Sequence, residues 1–248
     1  MPPARFPVVA LGASAGGVQA LQRFFAPIPA DSGVAFVVVM HLAPNFESHL
    51  ASVLQPFTKM PVDQVSETVE LEPDRVYVVP PNRNLATADG SLLLLPMEEE
   101  RSERSPIDYC FRSLAASHEA RAICVVLSGT GSDGTLGLRR VKEVGGLTVA
   151  QAPADAEYDT MPQSAIASGA VELVLPAAEM GAKLLEYIRN VWQAQPALRV
   201  PGLVQQAGKT CFINKMSVAI NVSDTLGNLC VSKSHRPLAR DPRRPQMG

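Results

Sequence analysis

Residues 34–40, Val-Ala-Phe-Val-Val-Val-Met, form an unbroken run of seven apolar side chains. β-Branched residues dominate the run, and it is far shorter than the ~20 apolar residues that a membrane helix needs. Such a run is a strand covered on both faces, because a strand with one wet face would alternate apolar and polar residues. Residues 6–11 and 123–127 read in the same way, and 75–79 is a further strand stopped by Pro80-Pro81. Residues 147–150 and 171–175 complete the strand set.

Between these runs the spacing turns helical. Residues 18–25, 135–144, 161–167 and 177–191 carry apolar side chains at helical intervals. Residues 45–57 are amphipathic, with Phe46, Leu50, Val53, Leu54 and Phe57 along one side and Asn45 placed to cap. Ser105-Pro106 opens a helix that reaches His118, with proline at a first-turn position. Asp89-Gly90 lies between two short apolar stretches and signals a hairpin. Strands separated by helices predict a three-layer, doubly wound α/β fold. Its sheet is mainly parallel, with an antiparallel hairpin inserted.

Ligands of such sheets collect beyond the carboxyl ends of the strands, so the polar residues that come after each buried run are the candidates. The first strand is followed by Gly12-Ala13-Ser14-Ala15-Gly16-Gly17, the second by His41, and the run at 123–127 by Ser128-Gly129-Thr130-Gly131-Ser132-Asp133-Gly134. A serine, a histidine and an aspartate therefore fall at one sheet edge. They are the side chains of a nucleophile, a general base and the group that orients the base.

Each has a plainer reading. Gly12-x-Ser14-x-Gly16 fits a nucleophile turn, with Gly12, Gly16 and Gly17 permitting the bend, and equally a glycine loop that holds a phosphate at a helix N-terminus. Neither the dinucleotide fingerprint nor a P-loop is present. His41 could be a hydrogen-bonded structural residue. Asp133, among Gly129, Gly131 and Gly134, could be a helix cap. His49 and His118 read as surface positions on helices, and His235 lies in the tail. No histidine pair has metal-ligand spacing, and Asp155, Glu157 and Asp159 read as a solvated loop, so no metal is expected. A noncatalytic nucleotide- or phosphate-binding module, or a docking module, is the alternative to a hydrolase.

Several segments in series resemble the catalytic domain of the chemotaxis protein-glutamate methylesterases. Residues 8–17, Val-Val-Ala-Leu-Gly-Ala-Ser-Ala-Gly-Gly, are similar to the start of that domain. Met40-His41-Leu42-Ala43-Pro44, Val79-Pro80-Pro81 and Leu127 through Gly134 come next in the family's order. Gln151, Met161-Pro162 and Ala165-Ile166 continue the likeness, which covers roughly residues 6–190. The resemblance implies a cytoplasmic phosphorelay-linked hydrolase that removes glutamate methyl esters from chemoreceptors, with glutamine deamidation as a second activity. It makes Ser14 the nucleophile, His41 the base and Asp133 its orienting carboxylate, with backbone at Ala15 and Thr130 forming an oxyanion hole. No cofactor is implied. The partners implied are the cytoplasmic helices of methylated chemoreceptors and a methyltransferase or response-regulator protein.

Two departures from the family pattern stand out. Ala15 replaces the hydroxyl residue that often follows the nucleophile. The esterase stretch is expected to stand without a receiver domain ahead of it, like the esterase module of methylesterase/methyltransferase hybrids, and without the methyltransferase that those hybrids carry after it.

The net charge of −2 hides an asymmetry. Residues 193–248 carry eight Lys and Arg against Asp224 and Asp241, about +6, whereas residues 1–192 carry about −8. The expected organisation is a catalytic domain over 1–192 and a basic, proline-containing tail over 193–248 that is poorly ordered. The tail has a single aromatic residue, Phe212, and so lacks the interleaved aromatics of a nucleic-acid binder. Four scattered cysteines without Cys-x-x-Cys, and no apolar leader, complete the picture of a cytoplasmic protein without membrane insertion.

Overall fold

The computed structural model describes residues 6–41, 49–88, 90–96 and 105–193. The tail from 194 onward, Asn45, Phe46 and Asp89 lie outside the described residues. In chain order the elements begin with strand β1 (Val8–Ala13), helix α1 (Gly17–Phe25), β2 (Ala35–Met40) and α2 (Leu50–Leu54). They continue with β3 (Val62–Gln64), β4 (Val69–Glu70), β5 (Arg75–Val78), β6 (Arg83–Ala88) and β7 (Ser91–Pro96). Then come α3 (Pro106–His118), β8 (Ala122–Val126), α4 (Thr135–Glu143), β9 (Leu147–Gln151), α5 (Thr160–Ala167), β10 (Leu173–Leu175) and α6 (Ala177–Gln193).

Seven strands form one sheet in the order β10-β9-β8-β1-β2-β5-β3, and every neighbouring pair is parallel. From β1 the chain passes to β2, reaches the edge of the sheet at β3, comes back to place β5 between β3 and β2, and then crosses to the other side of β1 for β8, β9 and β10. The reversal between β1 and β8 leaves a crevice at the carboxyl edge. β4, β7 and β6 form a separate three-stranded antiparallel sheet. The expected hairpin is β6–β7, and the polar segments 62–64 and 69–70 are too short to show a period in the sequence.

The unbroken apolar runs reflect burial on both faces. Val8, Ala10, Ala35, Val37, Val39, Cys124 and Val126 point to one side, where Ile107, Phe111 and Leu114 of α3, Leu138 of α4 and Met161 of α5 cover them. Val9, Leu11, Phe36, Val38, Ile123 and Val125 point to the other, beneath Leu21, Phe24 and Phe25 of α1, Leu54 of α2 and Met180 and Leu184 of α6. Phe24, Phe25 and Phe36 meet edge to face with centroids 5.1–6.0 Å apart, a favourable ring geometry. The two helical layers and the sheet between them make the three-layer fold.

Two expectations change. The predicted 45–57 helix is described only as α2, followed by a 3₁₀ turn at Gln55–Phe57 that contains Pro56. Proline has no N–H for the α-helical ladder, so the turn tightens. Leu50 and Leu54 remain buried while Val53 and Phe57 are each 42% exposed, so the five-residue apolar side does not persist. His118 is buried, at 2% exposure, rather than on the surface. No helix among the described residues is long and apolar enough to cross a membrane.

Candidate active site

Ser14, His41 and Asp133 follow β1, β2 and β8, three adjacent strands that run the same way. Their carboxyl ends therefore lie side by side, and the three side chains fall at the same crevice. Ser14 Oγ stands 3.3 Å from His41 Nδ1, and His41 Nε2 stands 2.8 Å from Asp133 Oδ2. Ser14 and Asp133 are buried, whereas the His41 side chain keeps 33% exposure. The two bonds form a relay with its imidazole open to solvent on one side.

Asp133 is not the cap of its own helix. Gly134 holds the cap position of α4, at φ +88°. Asp133 reaches instead to α3, whose first turn has free N–H groups. Its Oδ2 accepts from Ile107 N at 3.1 Å, and its Oδ1 accepts from Asp108 N at 2.9 Å and from Gly134 N at 2.8 Å. With three backbone donors on the carboxylate, its fourth bond has the imidazole Nε2–H as donor. The neutral ring then presents the Nδ1 lone pair to Ser14. This assignment of the proton follows from the hydrogen-bond network.

Ser14 is fixed from behind. Its N–H donates to Ser128 O at 3.0 Å, and Ser128 Oγ donates to Ala15 O at 2.9 Å. Ser128 N donates to the buried Gln151 Oε1 at 2.8 Å, and Gln151 Nε2 donates to Asp155 Oδ2 at 2.8 Å. Asp155 also accepts from Ala177 N and pairs with Arg23 Nη1 at 3.0 Å. This ties the loop to α1 and α6. Asp155 thus belongs to a hydrogen-bonded lattice behind the serine rather than to a solvated acidic loop. Sequence reasoning missed Ser128 and Gln151 as supports. A polar residue directly after, or ending, a fully buried strand was the available signal.

The glycines divide by cause. Gly16 takes a left-handed φ of +70° as the cap of α1, where a side chain would also strike Glu157 Cβ at 2.8 Å. Gly12 and Gly17, expected in the bend, lie inside β1 and α1. A Cβ on Gly12 would meet Ile107 Cγ2, so what that position needs is close packing under α3. A Cβ on Gly129 would fall 2.9 Å from Ser14 Cβ, which places the backbone of the 128–134 loop directly against the serine. The N–H groups of Ala15 and Thr130 have no hydrogen-bond partner among the described residues.

The remaining candidates stand apart from this site. His49 is exposed before α2, and His235 lies outside the described residues. Burial pushes the Cys110 thiol up to about 12, with the Asp133 charge adding to the effect, so Cys110 is no nucleophile beside the relay. Among the described residues no group of three or more His, Cys, Asp or Glu is arranged to hold a metal.

A serine–histidine–aspartate relay at the carboxyl edge of a parallel sheet defines a class, the α/β proteins with hydrolase-type triads. Comparison narrows it: residues 9–184 match the family model described as CheB methylesterase, and the chain belongs to that family. A putative protein-glutamate methylesterase/protein-glutamine glutaminase of Leptospira interrogans is 30% identical over 186 residues, 75% of this chain and 96% of that protein. An uncharacterized 104.1 kDa protein of Rhodobacter capsulatus is 43% identical over 139 residues, 56% of this chain but only 14% of that protein. The crystal structure of the Thermotoga maritima CheB methylesterase catalytic domain superimposes with a TM-score of 0.70 at 28% identity. It covers 75% of this chain and all of that one.

Proposed function

We propose that this chain hydrolyses the γ-methyl esters of glutamate on the cytoplasmic helices of methylated chemoreceptors, with Ser14, His41 and Asp133 as catalytic residues. The observation that carries the reading is the continuous relay, 3.3 Å from serine to imidazole and 2.8 Å from imidazole to carboxylate. A phosphate cradle has no use for a base aimed at a buried hydroxyl.

His41 Nδ1 takes the proton of Ser14 as Oγ attacks the γ-carbonyl carbon. Negative charge gathers on the carbonyl oxygen, where the free N–H groups of Ala15 and Thr130 receive it, each well-placed donor contributing about 3 kcal/mol. The carbon–methoxy bond breaks, the imidazolium proton passes to the leaving oxygen, and methanol departs. Water then loses a proton to His41 and attacks the acyl carbon, and Ser14 leaves with that proton. The products are glutamate and free enzyme. The same steps with ammonia as the leaving group deamidate glutamine. Asp133 holds the Nε2–H tautomer and stabilises the imidazolium throughout.

Partition to added hydroxylamine tests this route. An acyl-enzyme yields glutamate γ-hydroxamate on the receptor alongside glutamate, and neither this product nor methanol forms with Ser14→Ala. Methanol release with no Ser14-dependent hydroxamate would refute the acyl-enzyme, and absence of methanol alongside saturable phosphate binding would favour the noncatalytic module.

A further inference from the structure

Helices α3 and α4 cap each other. Neither has a side-chain cap from its own N-cap residue, Ser105 or Gly134. Asp133, just ahead of α4, accepts from Ile107 N and Asp108 N in the first turn of α3. In return Asp108 Oδ1 accepts from Gly137 N, in the first turn of α4, at 2.6 Å. Each carboxyl thus supplies the acceptor that the other helix lacks, at the end where the helix dipole favours it. The two helices also touch at the backbone there. A Cβ on Gly137 would lie 2.5 Å from Phe111 Cβ and 3.2 Å from Asp108 O.

Asp108 is 4% exposed and has no hydrogen bond to Ser14 or His41, so the chemistry above does not use it. A buried carboxyl is costly, and an apolar side chain at this depth would pack at less expense. We propose that Asp108 is a positioning residue: by holding Gly137 it clamps the turn that carries Asp133 onto α3, and so sets the reach of Asp133 to His41. The kinetic consequence rests on the esterase reading, whereas the geometric one does not. Burial raises the Asp108 carboxyl above its usual range. The Gly137 N–H opposes this, the Asp133 charge adds to it, and Arg112 and the Gly134 N–H oppose it. A neutral group of the same shape can still accept from Gly137. The acceptor is therefore the function, and the charge is not.

The test uses the full chain with Asp108→Ala, Asp108→Asn and Gly137→Ala, each verified as folded by its near-ultraviolet spectrum. Asp108→Ala removes the clamp, and Gly137→Ala pushes the same contact open from the α4 side, so the second serves if the first does not fold. On methylated receptor membranes both are expected to lower kcat about 10- to 100-fold with KM within about twofold, and Asp108→Asn to restore kcat to within about threefold. In proton spectra of ¹⁵N-histidine-labelled protein, the His41 Nε2 proton held on Asp133 is expected downfield and slow to exchange in the parent and in Asp108→Asn. It is expected to be lost in the other two variants. Folded Asp108→Ala and Gly137→Ala proteins that keep both parent kcat and this resonance overturn the proposal. A parent chain that releases no methanol would sink the esterase reading alone, because the resonance still decides the clamp.

Discussion

Asp133→Asn removes one charge and no volume, and the four bonds around the carboxylate determine its effect. They come from Ile107 N, Asp108 N, Gly134 N and His41 Nε2. A carboxamide offers one oxygen and one NH₂ to the same four positions. With its oxygen toward Asp108 and Gly134, the NH₂ faces Ile107 N–H and forces Nε2 to accept. The imidazole proton then moves to Nδ1 and points at Ser14, where it blocks the base. With its oxygen toward Ile107 and His41 the productive tautomer survives, but two N–H groups are left facing the NH₂. Each orphaned buried donor costs about 1–3 kcal/mol, so the blocked arrangement is favoured by about that amount. By the Boltzmann factor, about a sixth of molecules at the lower cost, and less than about a hundredth at the higher, keep the useful tautomer. Those molecules also lack the charge that stabilises the imidazolium. The expected kcat is lower by about 10³–10⁴, with stability to urea reduced by about 1–3 kcal/mol. A folded Asp133→Asn protein that retains more than about a tenth of parent kcat would refute the reasoning, since the loss in comparable triads is far larger.

Three other perturbations have defined outcomes. Burial, with the Arg121 charge adding to it, lowers the His118 imidazole from 6.5 to about 4. The unfolded chain therefore binds a proton there that the folded chain refuses; this stability is full above pH 6.5, lost as pH falls toward 4, and worth about 3 kcal/mol. Urea titrations at pH 7.5 and 4.5 should show that component in the parent and not in His118→Gln, and equal pH slopes would contradict it. Gly129→Ala sets a methyl 2.9 Å from Ser14 Cβ and 2.6 Å from Met161 Cε. The thioether end can swing away but the serine backbone cannot, so kcat should fall about 100-fold with little change in melting temperature; parent-like kcat would show the loop to be slack. Gln151→Leu orphans Ser128 N–H and removes one of the donors to Asp155, which keeps Ala177 N and Arg23, and the orphaned N–H should cost about 1–3 kcal/mol in urea denaturation. No loss would mean that the lattice behind Ser14 contributes nothing.

The sequence was most legible where burial is complete. Residues 34–40 and 123–127 announce central strands because both faces are covered, and adjacency of β8, β1 and β2 then results from a sheet that switches direction at β1. Ser14, His41 and Asp133 could be read because each directly follows, or shortly follows, such a strand. Strands β3 and β4, of three and two residues, carry too few side chains to display a period. His118 misled because a lone histidine in an amphipathic helix says nothing of its rotation, and β6 closes over that face through the Thr87–Ser117 hydroxyl contact at 2.8 Å. Asp133 read as a possible cap, and it is one, for a helix that begins 27 residues earlier. A cap in trans leaves no local spacing to recognise, and for the same reason the returned cap from Asp108 to Gly137 was silent.

The central claim is that Ser14 attacks a glutamate methyl ester. Methanol release from methylated receptor membranes, measured for the full chain and for Ser14→Ala, addresses it most directly. Steady release by the parent chain is expected, with loss of at least about 10³-fold in the folded variant. Release that survives Ser14→Ala, or a folded parent chain that releases none, would contradict it.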